Sequence, residues 1–138
     1  MAKSFISKCI HTFKCLFNRN CEKIAKSELT KMTKAQLEVY SLQRVKINLQ
    51  ERQEKIIEHG MHIDYNDAPE NALTSILYIN TNNGYTKFET GEKVESVENR
   101  LVTFPNSLKH TGTTNSCDEK YRCVMNIDWI KKWRNSND

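Results

Sequence analysis

The sequence predicts a mainly β protein (α+β), an antiparallel sandwich or jelly roll preceded by one or two helices. From Gln43 onward, apolar and polar residues alternate with period two, and β-branched and aromatic residues are frequent. Turn signals separate about eight short segments at regular spacing. Neither an internal repeat nor a low-complexity tract interrupts this pattern.

The N-terminal segment follows a helical period instead. Apolar residues between Phe5 and Phe17 recur as one stripe of an α-helix, with the basic residues largely off the stripe, and a second, weaker helical stretch follows. We therefore expect a helical segment at 1–40 that packs on and supports a β core at 41–130, and a basic tail at 131–138. Binding of the first helix to a membrane surface is the alternative to packing on the core.

The β segments are defined by their residue pattern. In chain order, the expected strands are 44–49, a short piece from 63, 73–79, 85–88, 93–97, 100–104, 110–114 and 121–129. Clean alternation in the first strand predicts that Val45, Ile47 and Leu49 face inward. The run 73–79 is almost continuously apolar, as in a central strand covered on both faces.

Turn-forming residues end or precede most of these strands. They lie at 68–71, 82–84, 89–92, 105–106 and 115–119, in chain order. The regular spacing of short strands and turns is typical of an antiparallel two-sheet domain rather than of a βαβ protein.

Bulk composition limits the class of protein. At 138 residues, the chain has room for one domain with a hydrophobic core. Hydrophobic residues make up 38% and charged residues 28%, which is typical of a soluble globular protein. No apolar run approaches the roughly 20 residues of a membrane-spanning helix, and the N-terminal apolar positions are interrupted too often for a secretory signal. These features predict an intracellular, cytoplasmic protein.

Cysteine usage and charge indicate little specialised chemistry. The five cysteines are odd in number and form no CxxC pair, so reduced structural thiols are expected rather than a disulfide framework or a zinc ribbon. The net charge of +4 is concentrated at the two ends of the chain, which is compatible with an anionic partner but does not require one. Nucleic-acid or membrane-surface binding by the N-terminal helix is therefore a minor alternative function.

Histidine and carboxylate residues form one metal-ligating pattern. His62 and Asp64 are two residues apart, so a strand would present both on one face while Ile63 packs on the other. His110, from a distant strand, would complete one triangular face of an octahedron and leave three positions open. This arrangement is typical of a two-histidine, one-carboxylate iron(II) site rather than of a four-coordinate zinc site. Arg122 adds a cation suited to the far carboxylate of a keto-acid cosubstrate.

The two remaining histidines are not expected to be ligands. His11 lies in the helical stripe region with no carboxylate nearby, and we interpret it as a partly exposed helix residue. His59 lies three residues before His62, off the ligand face of a strand, and we interpret it as a rim or solvent residue. A His-x-Asp spacing is common by chance, and a polar surface strand is its alternative explanation.

Several short motifs occur in one order along the chain. They are His62-Ile63-Asp64, Leu77-Tyr78-Ile79-Asn80, Gly84-Tyr85-Thr86-Lys87-Phe88, Asn99-Arg100-Leu101-Val102-Thr103-Phe104-Pro105, Leu108-Lys109-His110-Thr111-Gly112 and Tyr121-Arg122-Cys123-Val124-Met125-Asn126. Together they resemble the double-stranded β-helix (cupin-like) core of the 2-oxoglutarate- and iron(II)-dependent dioxygenases. Within that family the chain is similar to the prolyl-hydroxylase-like branch and to short oxygenases of bacteriophages. Asn83 departs from the family pattern, which has a second glycine there.

The resemblance implies an Fe(II)- and 2-oxoglutarate-dependent dioxygenase, a hydroxylase that couples oxidative decarboxylation of 2-oxoglutarate to succinate with hydroxylation of a substrate. Iron(II), 2-oxoglutarate and dioxygen are the implied cofactors and cosubstrates, and ascorbate is a further candidate. The implied roles are iron ligation by His62, Asp64 and His110, 2-oxoglutarate binding by Arg122 and Tyr78, and lining of the pocket near the metal by Asn126.

Other interpretations stay open at this stage. Tyr78 is alternatively a plain core aromatic. The whole domain is alternatively a non-catalytic β-helix or cupin-like binding module, such as a virion-associated one, because the fold alone does not define activity. The sequence leaves the substrate, small-molecule or peptidyl, and the oligomeric state undetermined. The similarity to bacteriophage oxygenases adds an infected host cell as a candidate location.

Overall fold

The computed structural model describes residues 39–131, with side chains from residue 41. The two predicted N-terminal helices, His11 and residues 132–138 of the predicted basic tail lie outside these residues, while Lys131 ends the last strand. Within them the chain forms seven strands and no helix. The strands are β1 (Val39–Glu51), β2 (Ala72–Tyr78), β3 (Tyr85–Phe88), β4 (Lys93–Glu95), β5 (Leu101–Pro105), β6 (His110–Gly112) and β7 (Tyr121–Lys131). No helix in this part of the chain has the length and apolar character needed to cross a membrane.

The strands form two antiparallel sheets. The larger sheet has the order β1-β7-β2-β5, and the smaller has the order β4-β3-β6. The hydrophobic core takes side chains from both sheets, namely Ile76, Tyr78, Phe88, Phe104 and Val124. The rings of Phe88 and Phe104 meet edge to face with their centroids 4.9 Å apart, a favoured arrangement for aromatic pairs. The predicted antiparallel two-sheet architecture is therefore confirmed.

Strand β2 shows the burial that its sequence predicts. It lies between β7 and β5, and its residues are buried apart from Leu73. Tyr78 is fully buried at the end of the strand. A continuous apolar run is stable here because both faces of the strand are covered.

The strand expected to begin at Ile63 is absent, and that prediction is wrong. The chain instead pairs with β6 and the residue after it at two isolated antiparallel bridges, Glu58 with Thr113 and His62 with His110, and the N–H of His59 donates to the C=O of Gly112 between them. After His62 the backbone leaves the sheet, because Tyr65 pairs through both its N–H and its C=O with the side-chain amide of Asn106. These bonds replace the ladder that a strand would have made.

Strand β1 faces the opposite way from the prediction. Ile47 is 49% exposed and Leu49 is 55% exposed, while Val45 is half-buried. The polar residues of the other face line a cavity of the domain, and these are Lys46, Asn48 and Gln50. Alternation shows which residues share a face, but β1 is an edge strand of its sheet, and there the polar face lines the site.

Candidate functional site

The backbone brings the two predicted histidine ligands together. The N–H of His62 donates to the C=O of His110 at 3.0 Å, and the N–H of His110 donates back to His62 at 3.0 Å. Residues paired in this way project their side chains from the same face. The two imidazole rings consequently lie side by side, with centroids 4.8 Å apart.

Asp64 joins this pair from the bend that follows the bridge. One carboxylate oxygen lies 3.4 Å from Nε2 of His62, and the other lies 3.6 Å from Nε2 of His110. The ligand-type atoms of all three residues lie within 4.8 Å of one another. The structure thus places the three residues predicted as metal ligands around one point.

The protonation pattern of the histidines suits metal binding. Nδ1 of His62 donates to the C=O of Gly60 at 2.9 Å, which leaves Nε2, the nitrogen that faces Asp64, as the atom available to a metal. His110 is 2% exposed, and both of its ring nitrogens are buried without a hydrogen-bond partner among the described residues. A buried unsatisfied nitrogen is costly, and a metal ion would satisfy Nε2.

Asp64 is held in place by donors from two strands. The side-chain amide of Asn126 donates to Oδ2 at 2.8 Å, and Nη2 of Arg44 lies 3.4 Å from Oδ1. Burial alone would raise the pKa of Asp64, but its contacts with His110, Asn126 and Arg44 outweigh burial and hold the pKa well below its usual range. Asp64 is therefore a carboxylate, the form that binds metal.

A buried network that we did not predict supports this carboxylate. Asp128 is 1% exposed and accepts from Nε of Arg44 at 2.7 Å. The hydroxyl of Thr74 lies 2.9 Å from Asp128 and 3.1 Å from the side chain of Asn106, which in turn binds the backbone of Tyr65. These hydrogen bonds consequently hold the bend that carries Asp64 in place. The sequence signal for it was a charged residue, Asp128, between the apolar residues Ile127 and Trp129.

Replacing Asn126 with alanine is expected to weaken metal binding about 10- to 100-fold, the usual cost of losing a group that orients a ligand. The amide of Asn48 donates to Oδ1 of Asn126 at 3.3 Å and so fixes the orientation of that side chain. Asn48→Ala should have the same effect but smaller. Calorimetric titration with iron(II) or cobalt(II) under anaerobic conditions measures both, and equal affinities of wild type and Asn126→Ala would contradict the role of Asn126.

The three residues line a cavity of about 200 Å³ that also contains Arg122. Arg122, Val124 and Asn126 alternate along β7, so all three side chains face this cavity. Asn126, four residues further along β7, donates to Asp64. The predicted metal-ligating groups and a guanidinium therefore line the same cavity.

Arg122 is a buried cation without a carboxylate partner among residues 39–131. It is 3% exposed, Nε donates to the hydroxyl of Ser96 at 2.9 Å, and Nη2 lies 3.3 Å from the hydroxyl of Thr86. Burial lowers the pKa of Arg122, because the described surroundings contain no carboxylate to offset the cost of burying the cation. A bound carboxylate would supply that compensation.

Tyr78 lies next to Arg122, but its hydroxyl binds Thr86 rather than the guanidinium. Its hydroxyl donates to Oγ1 of Thr86 at 2.8 Å, and the guanidinium carbon of Arg122 lies 5.8 Å from the centre of its ring. Tyr78 also belongs to the hydrophobic core. Thr86, which we did not single out in the sequence, therefore stands between Tyr78 and Arg122 and lines the cavity itself.

Gly84 allows Arg122 to lie where it does. A Cβ atom at Gly84 would lie 2.6 Å from Cδ of Arg122 and 2.8 Å from the backbone oxygen of Thr114. Asn83, by contrast, has a use for its side chain, because its Oδ1 accepts from the backbone N–H groups of Ser116 and Cys117. Glycine is therefore required at position 84, whereas position 83 uses its side chain to bind the neighbouring loop.

Gly84→Ala is expected to lower Tm by several degrees and to weaken binding of an anion at Arg122 more than tenfold, because the new methyl group displaces the guanidinium. Gly60→Ala is the matched control, since a Cβ at Gly60 would meet nothing within 4 Å. Thermal melts and 2-oxoglutarate titrations of both variants measure the effect. If Gly84→Ala behaves like Gly60→Ala, the packing explanation fails.

Comparison with known proteins supports the fold. The sequence matches no protein-family model. No curated protein matches it either. A prolyl-4-hydroxylase from Pseudomonas putida has a similar structure, with a TM-score of 0.51 and 18% sequence identity over 74% of this chain and 57% of that chain. Weaker similarities extend to a viral collagen prolyl hydroxylase from Paramecium bursaria Chlorella virus-1 (TM-score 0.43, 15% identity, 78% of this chain and 64% of that one). They also include a cupin protein from Bacteroides fragilis (TM-score 0.42, 11% identity, 68% of this chain and 70% of that one).

The likeness to the Pseudomonas enzyme concerns the fold alone. Together with the sheet order, it supports a jelly-roll fold. The chain spans little more than half of that enzyme's length, namely 57%. Function must therefore be inferred from the site.

Proposed function

We propose that the protein is an iron(II)- and 2-oxoglutarate-dependent dioxygenase that hydroxylates its substrate. One observation carries the proposal: the cavity that contains the His62, Asp64 and His110 cluster also contains the buried guanidinium of Arg122, which no carboxylate of the described residues neutralises. A metal centre and an anion site in one cavity are what a chelating keto acid with a distal carboxylate requires.

His62, Asp64 and His110 would hold the iron. Two imidazoles and one carboxylate are the usual ligands of non-haem iron(II) in oxygenases, and they leave coordination positions for a cosubstrate and dioxygen. When bound, iron(II) and 2-oxoglutarate together supply an oxidation in which one oxygen atom of dioxygen enters succinate and the other enters the hydroxyl group of the product, with release of carbon dioxide. The protein has to keep the three ligands oriented and the pocket closed to bulk water.

Arg122 would bind the 5-carboxylate of 2-oxoglutarate. Thr86 and Ser96 already hold two of its nitrogens, so little conformational freedom remains to be lost on binding. Nη1 has no hydrogen-bond partner among the described residues and faces Gly112, where a Cβ would lie 3.4 Å away. Tyr78 would act through Thr86, whose hydroxyl it orients. Asn126 and Arg44 would hold the carboxylate of Asp64 toward the metal.

Anaerobic titration of the purified full chain tests the proposal. Iron(II) followed by 2-oxoglutarate should produce the weak visible charge-transfer band of the metal–keto-acid chelate, with one equivalent of each bound. On exposure to air, the protein should convert 2-oxoglutarate slowly to succinate, faster when ascorbate is present. If the wild type binds neither iron(II) nor 2-oxoglutarate, the proposal is wrong, and a non-catalytic cupin-like module is the better description.

A further inference from the structure

The cavity has a second polar wall that the metal and 2-oxoglutarate do not use. Strand β1 contributes Lys46, Asn48 and Gln50 to the lining. The side chain of His62 is 49% exposed, whereas those of His110 and Asp64 are 3% and 8% exposed. The cavity therefore opens to solvent on the side of His62, where a substrate has to enter.

The charges of this lining are unequal. Asp64 is the one carboxylate among the described lining residues, and Lys46 and Arg122 are the two cations. Lys46 forms no ion pair and no side-chain hydrogen bond within the described part of the chain, in contrast to Arg44, which pairs with Asp64 and Asp128. An exposed lysine at the opening of a partly enclosed site is free to bind an incoming anion.

We propose that the substrate carries an acidic group that Lys46 binds, an inference that rests on the proposed function. In the loaded site, the positive charges of iron(II) and Arg122 equal the negative charges of Asp64 and the 2-oxoglutarate dianion. Arg44 and Asp128 likewise neutralise each other across 2.7 Å. Lys46 is then the charge without a counterion in the lining, and a carboxylate or phosphate of the substrate supplies one.

Gln50 adds a second recognition element. Its Nε2 donates to the ring of His59 at 2.9 Å, and its Oε1 is buried without a partner in the described residues. Oε1 therefore accepts an N–H or O–H of the substrate, since an unsatisfied buried acceptor is costly. Lys46 and Gln50 are four residues apart on one strand face. The substrate class is thus an acidic molecule that also carries a hydrogen-bond donor.

Product labelling tests this inference while the substrate is still unidentified. The wild-type protein, loaded with iron(II) and 2-oxoglutarate, is incubated under isotope-labelled dioxygen with a tryptic peptide digest and, separately, with a small-molecule extract. Mass spectrometry then identifies molecules other than succinate that gain the heavy oxygen. Acidic molecules should be labelled at least about tenfold more efficiently than their neutral analogues, the ratio that an interaction of about 1.4 kcal/mol gives. The two mixtures distinguish a peptidyl from a small-molecule source of the acidic group.

Three variants make the result specific to Lys46. Lys46→Gln should bring the ratio of acidic to neutral labelling close to one, and Lys46→Glu should invert it. Lys55→Gln removes an exposed lysine outside the cavity and should keep the wild-type ratio. If the chelate band forms but neutral molecules are preferred, if nothing is labelled, or if Lys46→Glu keeps the preference, the inference is overturned and the proposed function stands. Absence of the chelate band in the wild type would overturn the proposed function instead.

Discussion

Replacing His62 with alanine is expected to abolish tight iron(II) binding while leaving the metal-free protein folded. The side chain is 49% exposed, so its removal leaves no internal cavity. It is one of the three proposed ligands, and its loss should lower iron(II) affinity well over 100-fold, more than the 10- to 100-fold cost of losing a group that only orients a ligand. Anaerobic titration measures the affinity, and circular dichroism of the apoprotein verifies the fold.

The other histidines of the domain provide the comparisons. His59→Gln changes a histidine at the rim of the same cavity and should keep wild-type iron affinity. His110→Ala should also abolish binding, but it should lower the Tm of the apoprotein as well, because His110 packs against Phe104 with ring centroids 4.9 Å apart. Wild-type affinity in His62→Ala would show that the cluster is not the metal site.

Substitution of Arg122 by leucine is expected to weaken 2-oxoglutarate binding by about 30-fold or more. Truncating one partner of a buried, hydrogen-bonded charge pair costs about 2–5 kcal/mol, and about 1.4 kcal/mol corresponds to a factor of ten. Iron(II) affinity in the absence of 2-oxoglutarate should not change, because Arg122 contacts none of the three ligands. Titration of the chelate band with 2-oxoglutarate gives the affinity directly.

The stability of Arg122→Leu separates a ligand-binding role from a structural one. Without a ligand, the guanidinium is buried and has no carboxylate partner among residues 39–131, so an apolar replacement should not lower the Tm of the metal-free protein. The rise in Tm that 2-oxoglutarate produces in the iron-loaded wild type should be lost. Arg100→Leu is the control, because its guanidinium is exposed and donates to the backbone of Glu95. Equal 2-oxoglutarate affinity in Arg122→Leu and wild type would exclude the anion site.

The positions of most strands follow from the sequence, because alternation and turn residues are properties of short segments. The residues of β3 were predicted with the bounds that the structure shows, since the Asn-Gly turn and the alternation both point to them. The orientation of β1 did not follow, because which face of an edge strand is covered depends on distant residues. The sequence also placed a strand at Ile63, where side-chain bonds from Asn106 to Tyr65 take the place of the ladder.

The residues of the candidate site were predictable from the sequence, but the residues that hold them in position were not. A His-x-Asp pair with a later histidine and arginine suggests a chemistry from the sequence alone. Asp64, however, meets the histidines from a bend, so the same-face geometry that motivated the pair does not explain its position. Its position depends on Arg44, Asn126 and Asp128, whose partners lie far away in the sequence. Long-range pairings of this kind leave no local pattern to read.

The bridge between His62 and His110 has a consequence for folding. This bridge is the last of the backbone contacts between the segment from Ile57 to His62 and the strand opposite it. A metal held by His62, Asp64 and His110 would cross-link the segment to the sheet at the end of this pairing. In the folded protein the ion would then add a further link between this segment and the sheet. Its binding would couple unfolding of the segment to unfolding of the sheet. Loss of the metal would release the substrate entrance before it unfolds the core.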